Sequence, residues 1–256
     1  MAVDAPPGLA GPPSDDVPVP AAVTRLAAGR PLRPVWQNML GGLTYEIPGQ
    51  CYIKWAPPGV DLAPEAERLT WAAAFTTVPM LLEHSADSDG SWLVTAPLPG
   101  RNAVEDRWRA EPERAVEAVG AGLRALHDAL PVADCPFSWD VATRRARIQN
   151  PDPHRFGLTL DEALRILDDP PPPDRLAVCH GDACVPNTLL DDDGQCRGHV
   201  DLGSLGVADR WADLAAATWS TNWNYGLGHE RRLLDAYGVA PDPERLRFYR
   251  LLWDLT

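Results

Sequence analysis

Four side chains in this sequence have the types and the order that handling a triphosphate requires. Lys54, in "CYIKW", is the only lysine of the chain, against twenty-two arginines. Lysine is a compact point charge on a flexible stem, whereas arginine is a planar fork, so a lone lysine marks a place that needs the former. Further on, "HGDACVPN" sets Asp182 and Asn187 five residues apart, and "HVDLG" supplies Asp201 at the end of a predicted strand, with Gly203 after it. Phosphoryl transfer needs an acceptor oriented by a carboxylate, magnesium on the phosphates and positive charge on the nucleotide. Magnesium prefers carboxylate and amide oxygens to thiolates. In this reading Asp182 orients the acceptor hydroxyl and takes its proton. Asn187 and Asp201 hold Mg2+, and Lys54 reaches the α and β phosphates of ATP or GTP. Glu65, in the first turn of the helix predicted to follow, would fix the Lys54 ammonium. A competing reading makes Cys179, Cys184, Cys196 and His199 zinc ligands. Their spacing matches no common zinc module and leaves Asp182, Asn187 and Asp201 without a role.

These residues need a scaffold. Short strands are predicted over 33–40, 43–47 and 51–55, with turns at "GG" and "PGQ". A helix follows in "APEAERLTWAAAF", with Pro64 in its first turn and Leu69, Ala72 and Phe75 on one face. Strands near 80–83 and in "SWLVTA" complete an antiparallel pattern around one helix, which "PLPG" at 97–100 breaks. Beyond it the chain turns mainly helical. Val116, Val119, Leu123, Leu126 and Leu130 form one stripe, and Thr159 with Glu162 has capping-box spacing. "RLAV" reads as a strand, "TLL" and "GHVDL" as a small hairpin, and 209–220, 228–237 and 243–253 as helices. The chain is therefore expected to be α+β. A flexible tail over 1–25 and a short helix over 20–29 precede a β-rich N-terminal lobe over 26–97 and a mainly helical lobe over 98–256, with a ligand crevice between lobes.

Composition narrows the partners. The net charge of −13 repels nucleic acid and anionic membrane and favours a cationic small molecule. No apolar run approaches the length of a membrane-spanning helix, and the first twenty residues lack the basic head and apolar segment of a signal peptide. Five cysteines, an odd number, suggest no disulfide framework and a reducing cytoplasm. A monomer or weak dimer is expected.

The segments "CHGDACVPNTLL", "GHVDLGSLGVADRWADLA" and "RFYRLLWDL", together with "LPVADCP" and "SWLVTAPLPG", resemble the aminoglycoside 3'-phosphotransferases, relatives of protein kinases. The resemblance runs from about Pro34 to the end. It implies a two-lobed protein-kinase-like fold and magnesium-dependent transfer of a nucleotide γ-phosphoryl group to an aminoglycoside, at the 3'-hydroxyl of a kanamycin-like acceptor. It makes Asp182 the catalytic aspartate, Asn187 and Asp201 the magnesium ligands, and Lys54 with Glu65 the phosphate-binding pair. Asp213 becomes the residue that steadies the catalytic loop. The hinge would contact adenine through the Ala96 carbonyl and the Leu98 amide, since Pro97 and Pro99 have no N–H.

The sequence also departs from that family. Ser204 stands where many relatives have arginine. "MLGGLTY" replaces the glycine-rich phosphate loop, leaving Gly41 and Gly42 to approach phosphates by backbone and Thr44 to add a hydroxyl. The ending "LLWDLT" leaves Asp254 as a single carboxylate for a cationic sugar. In "TWSTNWNYG", Trp223, Asn222 and Tyr225 would stack on and hydrogen-bond sugar rings, and Trp219 reads as a core residue. Two alternatives follow: a kinase of the same fold acting on a sugar, amino alcohol or other natural product, and a nucleotide-binding module without catalysis. His127 and the thiols of Cys179 and Cys184 read as packing groups, and His180 as a shaper of the loop.

Overall fold

Apolar and polar side chains alternate in short runs between residues 33 and 56, and these runs become neighbouring strands of one antiparallel sheet. The computed structural model describes residues 10–13, 17–148 and 153–256. They divide into two units. The N-terminal unit holds the described residues up to Ala74 together with Val78–Leu98, and the C-terminal unit holds Phe75–Thr77 and Pro99–Thr256.

In the N-terminal unit, β1 (Arg33–Gln37), β2 (Leu43–Ile47), β3 (Cys51–Ala56), β4 (Leu81–Asp87) and β5 (Gly90–Thr95) lie in the order β1-β2-β3-β5-β4. Leu43, Tyr45, Ile47, Cys51 and Ile53, with Trp92 and Val94, pack against Ala22, Val23 and Ala27 of helix α1 (Ala21–Ala27). Full burial of Ile47 and Ile53 contributes about 1.5–3 kcal/mol each. The opposite face of the hairpin carries Thr44 and Lys54 as direct cross-strand partners, with Leu93 next in register. Residues 21–25, expected to belong to a flexible tail, instead form part of helix α1. Ala22 and Val23 are completely buried, and Gly11 exchanges backbone hydrogen bonds with Gln37 at 3.0 and 2.8 Å. Residues 1–9 and 14–16 lie outside the described residues.

Helix α2 (Ala63–Ala72) has Pro64 in its first turn and the Asp61 carboxylate accepting from the Ala63 N–H at 2.9 Å. It buries Leu69 and Ala72 but stops before Phe75, which is 40% exposed. The β-branched run Thr76–Val78 and the following Pro79 account for that early end.

The C-terminal unit comprises β6 (Arg101–Asn102), α3 (Asp106–Ala110), α4 (Pro112–Ala129), α5 (Val141–Arg145), α6 (Leu160–Asp168), β7 (Leu176–Cys179), β8 (Thr188–Leu190), β9 (Cys196–His199), β10 (Gly206–Asp209), α7 (Trp211–Tyr225), α8 (Glu230–Tyr237) and α9 (Pro243–Leu255). Its strands form two small sheets, β6-β8-β9 and β10-β7. The α4 stripe is buried as its spacing predicts, and both halves of the Thr159–Glu162 capping box are made. Strand β9 ends at His199, so Asp201 sits in the loop beyond the strand rather than at its end. No helix among the described residues is long and apolar enough to cross a membrane.

Candidate active site

In the N-terminal unit the expected ion pair is made. Lys54 on β3 and Glu65 in the first turn of α2 meet at 2.6 Å (Nζ to Oε2), with side chains 21% and 8% exposed. That burial separates it from the surface pairs that contribute little. A short charge-assisted contact of this kind fixes the direction of the ammonium. Lys54→Ala is expected to weaken ADP binding about ten- to a hundred-fold, the worth of one or two hydrogen bonds to charged groups. Lys54→Arg should not restore it. Unchanged ADP affinity of the alanine variant in a calorimeter would remove Lys54 from the phosphate site.

The turn before β2 differs from expectation. The Gly42 N–H, expected to be open to phosphate, donates to Asn38 Oδ1 at 2.7 Å, and the Gly41 N–H donates to the Asn38 carbonyl at 3.2 Å. Thr44 lies on the Lys54 face, as its register requires. At the hinge, the Ala96 N–H donates to the Met80 carbonyl at 2.9 Å. Among the described residues, the Ala96 carbonyl and the Leu98 N–H take part in no backbone hydrogen bond outside the regular elements.

In the C-terminal unit, two loops are locked to each other by short-range contacts. Gly181 has φ +87°, and a Cβ there would lie 2.1 Å from the Ser204 carbonyl oxygen, so the close approach needs glycine. The His180 ring donates from Nε2 to the Val200 carbonyl at 2.9 Å and accepts the Asp182 N–H at Nδ1, 3.3 Å away. The Val200 N–H donates to the Asn187 carbonyl at 2.9 Å. These bonds hold the segment carrying Asp182 and Asn187 against the segment carrying Asp201. Asn187 Nδ2 donates to the Asp182 carbonyl at 2.9 Å and to Asp182 Oδ2 at 3.2 Å. Asp182 Oδ1 is buried without a hydrogen-bond partner among the described residues. Asp201 adopts a left-handed conformation, φ +64°, a strained state that collects at functional sites. With the Asn187 amide nitrogen engaged, its oxygen is the atom left for a cation. That oxygen and the Asp201 carboxylate are hard-oxygen donors of the type Mg2+ takes.

Asp213, on α7, supports this loop from below. It is completely buried and accepts the His180 N–H at 2.6 Å, the Gly181 N–H at 2.9 Å and the His127 ring at 2.9 Å. The other His127 nitrogen pairs with the Tyr237 hydroxyl at 2.8 Å. Burial alone would raise the Asp213 carboxyl, but the His127 bond and charge, His180 and the Gly181 N–H hold it below the ordinary carboxylate range. His127 is thus a buried residue that also braces Asp213, a link between α4, α7 and α8 with no trace in the local sequence. Burial pushes His199 down to about 3, which leaves it neutral.

The zinc reading does not survive. Among the described residues, the His, Cys and acid atoms that converge belong to His127, Cys179 and Asp213, not to Cys179, Cys184, Cys196 and His199. Both nitrogens of His127 and both oxygens of Asp213 are already hydrogen-bonded. Cys179 is fully buried, the small apolar role expected of it.

Three of the four expected sugar-binding residues are committed to the protein itself. Asn222 donates to Glu230 at 2.6 Å. The Tyr225 hydroxyl donates to the Ala103 carbonyl at 2.5 Å, and burial pushes that phenol well up. Asp254 is paired with Arg155 at 2.7 Å and its side chain is only 8% exposed. Trp223 is half-buried and stacks between Trp219, 4.9 Å away, and Trp253, 5.5 Å away. Trp219 is a core residue, 2% exposed. The partners of Tyr225 and Asp254 come from distant segments, which local spacing does not reveal.

A mixed N-terminal sheet-and-helix unit followed by a helical unit with two locked, acid-bearing loops defines the kinase-like class of phosphotransferases. Residues 48–249 match the family model described as the phosphotransferase enzyme family, APH. The chain belongs to that family. It is 38% identical over 244 residues to an aminoglycoside 3'-phosphotransferase of Streptomyces fradiae, covering 83% of this chain and 90% of that one. It is 36% identical over 236 residues to a streptomycin 3''-kinase of Streptomyces griseus, covering 80% and 84%. Among solved structures, an aminoglycoside 3'-phosphotransferase of type VIII matches with TM-score 0.70 and 32% identity over 92% of this chain and 98% of that one. An aminoglycoside phosphotransferase of Streptomyces rimosus in complex with ADP and streptomycin matches with TM-score 0.71 and 26% identity over 92% and 97%.

Proposed function

We propose that this enzyme transfers the γ-phosphoryl group of ATP or GTP to a hydroxyl of an aminoglycoside, the 3'-hydroxyl of a kanamycin-like acceptor. The observation that carries the reading is Asp182. One of its oxygens is tied to Asn187, and the other is buried with no partner among the described residues. A carboxylate so held has one oxygen positioned and one left to accept a hydrogen bond from an acceptor hydroxyl. Asp182 orients that hydroxyl and takes its proton as the new O–P bond forms, the bond from the γ-phosphorus to its bridging oxygen breaks and the nucleoside diphosphate leaves. Asn187 and Asp201 hold Mg2+, which when bound neutralises charge on the phosphates. Lys54, steadied by Glu65, binds the α and β phosphates, and the Ala96 carbonyl with the Leu98 N–H receives adenine. The net charge of −13 draws a polycationic acceptor toward the protein. An odd number of cysteines, five, suits a cytoplasmic enzyme.

A second acceptor, streptomycin at its 3''-hydroxyl, is favoured by one observation. The relatives above include a streptomycin 3''-kinase, 36% identical over 236 residues. The test is turnover of ATP and GTP against kanamycin, neomycin and streptomycin, with and without EDTA, and with the phosphorylated position read by NMR. Magnesium-dependent product at the 3'-hydroxyl of kanamycin is expected. Streptomycin alone as acceptor selects the second reading, and no aminoglycoside turnover at all ends both.

A further inference from the structure

The turn between β1 and β2 contains a side chain that the roles above leave unused. Asn38 folds its carboxamide back under the turn, where Oδ1 accepts the Leu40 N–H at 3.0 Å and the Gly42 N–H at 2.7 Å. The Asn38 backbone closes the same turn, its N–H donating to the Gly42 carbonyl at 2.9 Å. Backbone N–H groups converging on one point form a concavity suited to an anion. A Cβ on Gly42 would lie 2.6 Å from Asn38 Nδ2, so glycine at 42 leaves the carboxamide its room. Side chains two residues apart share one face of an extended chain. Gly42 therefore shares its face with Thr44, whose direct cross-strand partner is Lys54. The Asn38 carboxamide thus lies on the sheet face that carries the Lys54 ammonium.

We infer that Asn38 is an internal stand-in for the nucleotide. Its carboxamide oxygen occupies the seat of a phosphoryl oxygen, and nucleotide binding exchanges one for the other. The inference rests on the reading of Lys54 as the phosphate-binding residue. A phosphoryl oxygen is anionic, and hydrogen bonds to it are roughly twice as strong as those to a neutral carbonyl, so the exchange runs toward nucleotide. Without nucleotide, Asn38 keeps two N–H groups satisfied and the turn closed. Asn38 is a positioning residue that sets nucleotide affinity.

The experiment measures ADP and adenosine binding to the full chain by calorimetry, with thermal melting as the check on folding. Asn38→Ala should bind ADP about five- to thirty-fold more tightly, the net worth of one to two hydrogen bonds no longer displaced. Asn38→Asp keeps the two N–H groups on a carboxylate that repels phosphate, and should bind ADP about ten-fold more weakly. Adenosine, which has no phosphate, should bind all three proteins alike. A role in shaping the turn gives the reverse pattern, because Asp replaces Asn well in such turns. Asn38→Asp would then match wild type and Asn38→Ala would bind ADP more weakly. Either of those two results overturns the inference. Should Asn38→Ala melt below the assay temperature, Asn38→Gly carries the same expectation and the same condition. A wild-type chain that binds no ADP sinks the Lys54 reading itself. ADP binding that is lost in Lys54→Ala, with Asn38 variants behaving as turn-formers, sinks only the stand-in.

Discussion

Asp182→Ala lowers turnover by about two to four orders of magnitude while ADP affinity stays within about two-fold. The asymmetry follows from where the side chain is tied. Its Oδ2 contact to Asn187 and its backbone contacts to His180 and Asn187 shape the loop, and its Oδ1 atom has no protein partner among the described residues. Removing the carboxylate takes away the group proposed to orient the acceptor and receive its proton, and leaves Lys54 and Glu65 untouched. Asp182→Asn is the sharper version, because it keeps a hydrogen-bonding side chain of the same shape while removing the charge and with it the capacity to take a proton. Single-turnover kinetics with ADP titrations separate the two effects. Equal losses in turnover and in nucleotide affinity would assign Asp182 to nucleotide binding and remove it as the acceptor-orienting base.

Asp213→Ala has the largest expected effect on stability. The carboxylate is fully buried and satisfies three donors from two different segments, so its removal strands the His180 and Gly181 N–H groups and the His127 ring at once. Breaking a buried, paired charge in this way costs about 3–5 kcal/mol. The acid dependence has a definite sign. The folded-state value of Asp213 lies below its unfolded one, so its contribution is complete above the ordinary carboxylate range and drains away as pH falls through the lowered value. Urea unfolding of wild type against Asp213→Asn should therefore show a stability difference that is large near neutrality and shrinks in acid. A gap that stays constant down to pH 3 would mean that the charge of Asp213 is not what the fold uses.

The chemistry was more legible in the sequence than the acceptor site, and the reason is physical. Lys54 and Glu65 are eleven residues apart on a strand and the helix that follows it, so local periodicity places both. Asp182 and Asn187 share one loop, and their spacing is their geometry. Strand β10 pairs with β7 over only four residues, and β6 has two, too few for a pattern of alternation to stand out. The side chains expected to meet a sugar show a second limit. Asp254 and Tyr225 contact Arg155 and the Ala103 carbonyl, which are far away in sequence, and only the folded chain brings those partners near. The Asn38 turn shows the same limit at short range. "GG" announces a turn, but not that a carboxamide three residues earlier fills it.

The backbone at Asp201 separates two properties that substitutions usually confound. Short polar side chains tolerate a left-handed residue far better than longer or branched ones do. Exchange to Asn preserves the contour of the loop and deletes its charge, and exchange to Glu preserves the charge but must fight the contour. Anyone redesigning this loop for a different cation has the first route open and the second obstructed by the main chain itself.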